Sequence, residues 1–84
     1  MYELRFSLAA AKVLKKAPRE VAVRIRLKLD ELAVDPFNTP NVKKLTDHPG
    51  YRLRVGDWRV LYLVEREVLV VQVVEIGHRK EVYR

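Results

Sequence analysis

The alternation of apolar and polar positions is sharpest in the second half of the chain. Tyr51, Leu53 and Val55 alternate with Arg52 and Arg54, the period-two pattern of a strand with one buried face. Gly56-Asp57 then reads as a two-residue hairpin turn, with Gly56 supplying positive φ at the first central position. The returning strand runs from Trp58 to about Val64 and ends near the charged turn Glu65-Arg66-Glu67. Val68 to Ile76 is apolar at nearly every position, which predicts a central strand covered on both faces.

The first half changes period. Tyr2, Leu4 and Phe6 alternate with Glu3 and Arg5, so residues 2 to 6 read as a strand. Ser7 is placed to cap a helix through Leu8 to Lys16, and Pro18 stops that helix while suiting the first turn of the next. From Arg19 to about Val34, the residues Val21, Ile25, Leu29 and Leu32 recur at helical spacing, with Arg24, Lys28 and Glu31 off that stripe. These cations read as a solvated helix face. Asp35 to Asn41 is a loop by its Pro and Asn content, and Val42 to Leu45 is a short extended or helical piece. Asp47-His48-Pro49-Gly50 turns the chain into the hairpin, with His48 a turn residue. The predicted fold is α+β with the order β-α-α-β-β-β, two N-terminal helices packed on a mainly antiparallel sheet.

Composition narrows the setting. Eighty-four residues, about half of them apolar, make one small folded domain spanning residues 1 to 84. The absence of cysteine excludes disulfides and thiolate metal sites and fits a reducing, cytoplasmic compartment. No apolar run approaches the roughly 20 residues of a membrane span, and the start lacks the apolar core of a signal peptide. A net charge of +6 favours a polyanionic or acidic partner.

The hairpin concentrates that charge. A two-residue turn at Gly56-Asp57 pairs Val55 with Trp58 and sets Arg54 directly across from Arg59. Like charges facing each other across an antiparallel pair are unfavourable. Arg52, Arg54 and Arg59 would therefore share one face against their own repulsion, and an anion there would relieve it. Planar guanidinium forks suit phosphate oxygens.

Lys44-Leu45, the run Tyr51 to Tyr62 and the C-terminal Ile76-Gly77-His78-Arg79-Lys80-Glu81-Val82-Tyr83 together resemble the RelE/ParE toxin superfamily, in which the toxin is one half of a bacterial or archaeal toxin–antitoxin pair. The resemblance implies a RelE-like fold. RelE-type members cut mRNA in the ribosomal A site, whereas ParE-type members inhibit DNA gyrase. Residue by residue, the RelE-type basic positions before the turn match Arg52 and Arg54, the arginine after the turn matches Arg59, and the arginine after the strand-end glycine matches Arg79. Its C-terminal tyrosine matches Tyr83. Arginine replaces the lysines often found at the first two positions, which keeps the charge but changes the hydrogen-bond geometry.

The activity so implied is metal-independent endoribonuclease chemistry, in which a ribose 2′-OH attacks the adjacent phosphate and the 5′-oxygen leaves. The nucleophile belongs to the substrate, so no cofactor is needed. Tyr83 is the candidate base, Arg52, Arg54 and Arg59 the phosphate ligands, and Arg79 the group on the leaving-group side. His78 is an auxiliary candidate for proton transfer, because imidazole titrates near neutrality. Lys43 and Lys44 are expected RNA contacts. The implied partners are a cognate antitoxin and the small ribosomal subunit with mRNA in its A site, and no membrane. Two rival readings are a ParE-type gyrase inhibitor and a non-catalytic RNA-binding module, the latter weakened by few aromatics for base stacking.

Overall fold

The computed structural model describes residues 1–78. Their order is β1 (Glu3–Phe6), α1 (Leu8–Lys16), α2 (Arg19–Val34), β2 (Val42–Lys44), β3 (Tyr51–Val55), β4 (Trp58–Glu65) and β5 (Val70–His78). One five-stranded sheet forms in the order β1-β5-β4-β3-β2, antiparallel throughout except for the parallel pair β1–β5. Both helices supply one side of a single core, in which Ala10, Ile25, Leu29 and Leu32 meet Leu53, Val60, Tyr62, Val71 and Val73.

Local chemistry sets the helix limits. Ser7 Oγ accepts from the Ala10 N–H at 3.0 Å, capping α1, and donates to the Val74 carbonyl at 2.6 Å, tying the cap to β5. Pro18 precedes α2, whose fully buried Ile25, Leu29 and Leu32 lie at the spacing expected of a core stripe. A reciprocal tie closes the far end. Asp35 carboxylate oxygens accept from the N–H groups of Phe37 and Asn38, both at 3.1 Å, and from the Asn38 side chain at 3.3 Å. These bonds, the Phe37 N–H first, hold the Asp35 carboxyl below its ordinary titration range.

One alternative left open by the sequence is decided, and two details differ from it. The piece at residues 42–45 is a strand, Val42–Lys44, entered through Asn41 at φ 71° and left before Asp47 at φ 55°, so the sheet gains a fifth strand. The central strand begins at Val70 rather than Val68. Glu65 pairs with Val70, so residues 66 to 69 must reverse the chain, with Leu69 at φ 54° and its N–H donating to the Arg66 carbonyl at 3.3 Å. Val68 and Leu69 are consequently exposed despite their apolar side chains. Finally, β5 contains a bulge. Leu61 pairs with Glu75 but Tyr62 pairs with Val73, which leaves Val74 as an extra residue. The bulge lets Val73 and Ile76, three positions apart, both face the core.

Tyr62 is the polar exception in that core. It is 1 % exposed, stacks on Tyr51 with ring centroids 5.6 Å apart, and donates its hydroxyl to the Pro36 carbonyl at 2.6 Å. Burial, and secondarily the neighbouring Tyr51 and Asp35, push its ionisation far above the ordinary tyrosine range. Gly50 is needed beside it: a Cβ there would stand 2.8 Å from the Tyr62 carbonyl oxygen. His48 fills its expected turn role, Nδ1 accepting from the Gly50 N–H at 2.9 Å.

Candidate nucleic-acid interface

Residues paired across neighbouring strands point to the same face, so the register decides which cations meet. Leu53, Val55 and Val60 lie in the core, which sends Arg52, Arg54 and Arg59 to the side of the sheet away from the helices. Lys43 pairs with Arg52 and joins them. Two rows result. One runs Lys43, Arg52, Leu61, Glu75 across four strands, and the other runs Arg54, Arg59, Gly77 across three.

The Arg54–Arg59 pair is the close kind. The Arg54 N–H donates to the Asn41 carbonyl at 3.0 Å, on the side away from β4. The pair is thus a non-hydrogen-bonded one, with Cα atoms about 4.5 Å apart and side chains nearer than in the alternate type. Gly56 sits at φ 59° in the turn, as the two-residue connection demands. Arg54 is exposed, whereas Arg59 is 3 % exposed and donates from Nη1 to the Trp58 carbonyl at 3.3 Å. Burial reduces the screening of that positive charge. Beside the pair, Asn41, Val42, Lys43, Arg52 and Arg54 line a shallow depression of about 190 Å³. The glycine opposite Arg59 presents no side chain to crowd the face.

Other expected site residues lie elsewhere. Lys44 pairs with Tyr51, so it belongs to the helix side, where its Nζ stands 5.0 Å from the Tyr51 ring centroid. His78 pairs with Trp58, and the two rings meet edge to face at 5.5 Å, again on the helix side. It is not brought to the arginines. Arg79 and Tyr83 lie outside the described residues. The structure adds one cation that helical periodicity left among solvated side chains: Arg24 of α2 lies against the hairpin turn, its Nη1 3.2 Å from the position of a Cβ on Gly56. Only the packing of α2 over the turn brings it there, and no sequence signal marks it. Among the described residues, no group of three or more His, Asp or Glu side chains is placed to hold a metal ion, and no helix is long and apolar enough to cross a membrane.

Two helices backing a five-stranded sheet, one face of which gathers cations around a small depression, define an α+β protein. The comparison with known families is then specific. The family model described as ParE toxin of type II toxin-antitoxin system, parDE, matches residues 4–83, and the chain belongs to this family within the RelE/ParE toxin superfamily. It is similar to Toxin RelG of Mycobacterium tuberculosis, 26% identical over 84 residues that cover 99% of this chain and 97% of the relative. Among solved structures it is similar to a chain of the intact E. coli RelBE toxin-antitoxin complex, with TM-score 0.83 and 30% identity over 93% of this chain and 96% of that one. A chain of the archaeal RelE-RelB complex from Pyrococcus horikoshii OT3 gives TM-score 0.82 and 26% identity, over 93% and 94%.

Proposed function

We propose that this toxin is a RelE-type endoribonuclease that cleaves mRNA in the ribosomal A site. The observation that carries the reading is the like-charged pair Arg54–Arg59, held with Arg52 and Lys43 on one sheet face beside a polar depression. A pair of guanidiniums set across two strands costs stability in the free protein. Binding a phosphodiester turns that cost into attraction.

In this reading Arg52 and Arg54 hold the scissile phosphate, and Arg59, from its buried position, stabilises charge on the phosphorane. The ribose 2′-oxygen attacks phosphorus, the P–O5′ bond breaks, and the products are a 2′,3′-cyclic phosphate and a 5′-hydroxyl. Tyr83 takes the 2′ proton as the general base. Arg79 binds the leaving-group side. Arginine is a poor acid because its pKa exceeds about 12, and His78 packs on Trp58 on the helix side, so a ribosomal group is the better donor to O5′. Lys43 rather than Lys44 tracks the RNA backbone. The partners are the small ribosomal subunit and a cognate, acidic antitoxin.

The description of the matching family model as ParE toxin favours a second reading, in which the same face binds DNA gyrase without chemistry. Mapping mRNA 5′ ends in a translating extract separates the two. Ribosome-dependent, in-frame cuts are expected from the wild type, reduced at least about 100-fold by Tyr83→Phe, the scale of general acid–base catalysis. They should also fall with Arg54→Ala and Arg79→Ala. Intact mRNA together with inhibited gyrase supercoiling would overturn the ribonuclease reading.

A further inference from the structure

A second groove lies at the same end of the sheet, on the helix side. Val13, Ala17 and Pro18 from α1 and its exit form one apolar wall, and Trp58 and Ile76 form the other, around about 230 Å³. Lys16 and Gly77 complete the lining. Trp58 is half-buried, and its indole is steadied by the edge-to-face contact with His78. Among the described residues, no carboxylate lines this groove.

We infer that this groove takes one nucleobase of the mRNA adjoining the scissile phosphate, an inference that rests on the RNA-cleaving reading of the arginine face. The two surfaces share residues and a single strand end. Trp58 and Arg59 are consecutive and point to opposite faces, and the Arg59 Nη1 is bonded to the Trp58 carbonyl. Gly77 pairs with Arg59 and also lines the groove. A phosphate on the arginines and a base beside Trp58 lie on opposite faces of β4, an interior strand, so the RNA joins them around the strand end at the Gly56-Asp57 turn. The margin between them carries Asp57 in the turn and Arg24 against it, and Lys16 stands at the groove itself, so two cations flank one carboxylate along that edge. An extended single strand pairs such a cationic track with aromatic platforms for its bases. Flat apolar walls and an indole suit the π-face of a base, and the bordering cations select a nucleotide over an apolar peptide side chain. The bases beside the cut are then chosen by fit to this groove, which gives the toxin a source of sequence preference within its own chain.

Trp58 is the sole tryptophan, so fluorescence excited selectively at tryptophan, apart from the four tyrosines, reports on this residue. The wild-type protein is titrated with a 2′-O-methyl trinucleotide, which cannot be cleaved, and with the same oligomer carrying a central abasic residue. Base-dependent quenching, at least about twofold deeper at saturation for the base-bearing oligomer, is expected from stacking. Ala17→Leu narrows the groove and is expected to reduce the quenching and to shift the distribution of cut codons in the 5′-end map. Equal response to the two oligomers, absent quenching, or an unchanged cut distribution in folded Ala17→Leu overturns the base subsite. Failure of the ribonuclease reading shows separately, as the absence of ribosome-dependent cuts by the wild type.

Discussion

Replacing Arg54 by Gln should stabilise the free protein while disabling it. Arg54 and Arg59 form a non-hydrogen-bonded cross-strand pair, the exposed member over the buried one. For guanidinium centres about 6–8 Å apart and an effective dielectric of about 40–80, Coulomb's law gives about 0.5–1.4 kcal/mol of repulsion. That agrees with the range of roughly 0.2–1 kcal/mol for cross-strand charge pairs. In a domain of this size each kcal/mol moves Tm by about 4–8 °C, so Arg54→Gln should melt about 2–11 °C higher in dilute buffer. Gln keeps much of the side-chain length and hydrogen-bonding capacity, and Arg54→Lys keeps the charge and should gain nothing. Thermal melts at about 0.02 M and 1 M salt supply the check, because the Debye length falls to about 3 Å at 1 M and the gain should shrink with it. In the 5′-end map the same variant should lose at least about tenfold of its cutting, one charge-assisted phosphate contact being lost. A Tm equal to or below wild type at low salt would refute the repulsion, and unchanged cutting would remove Arg54 from the phosphate site.

Three further outcomes test the frame that holds the site. Tyr62→Phe leaves the Pro36 carbonyl without its buried donor and should cost about 1–3 kcal/mol in a denaturant melt. Because burial raises the folded-state pKa of Tyr62, the unfolded chain ionises first, so its contribution is complete below about pH 10 and lost above it. Wild-type stability should thus fall with pH above about 10 more steeply than that of the Phe variant. Gly50→Ala forces a Cβ to within 2.8 Å of the Tyr62 carbonyl; His48 can swing aside but the β4 backbone cannot, and calorimetry should show a loss of about 1–3 kcal/mol. Asp35 has a depressed folded-state pKa, so its contribution is present above its ordinary value of 3.8 and lost as the pH falls below it. A Tm series from pH 5 to 2 should drop less for Asp35→Asn than for wild type.

The hydrophobic pattern was enough for both helices, the hairpin and the central strand, because each is specified locally. Ser7 and Pro18 punctuate the helices, Gly56 can adopt the required positive φ, and a strand apolar on both faces must lie inside a sheet. The opposition of Arg54 and Arg59 was legible for the same reason, since a two-residue turn fixes register by counting. Lys43 and Lys44 show where counting ends. Adjacent in sequence and identical in kind, they part to opposite faces once Val42–Lys44 adds to the β3 edge, and period two then sends one to the arginines and the other to Tyr51. The bulge at Val74, the return of the chain at Leu69 and the placing of His78 on Trp58 likewise depend on partners far away in the chain. So does Arg24, which meets the hairpin turn only because α2 crosses the sheet there. Local stereochemistry determined the elements and the identity of the charges. Long-range pairing and helix packing decided which charges share a surface, because side-chain direction follows register and register follows the whole sheet.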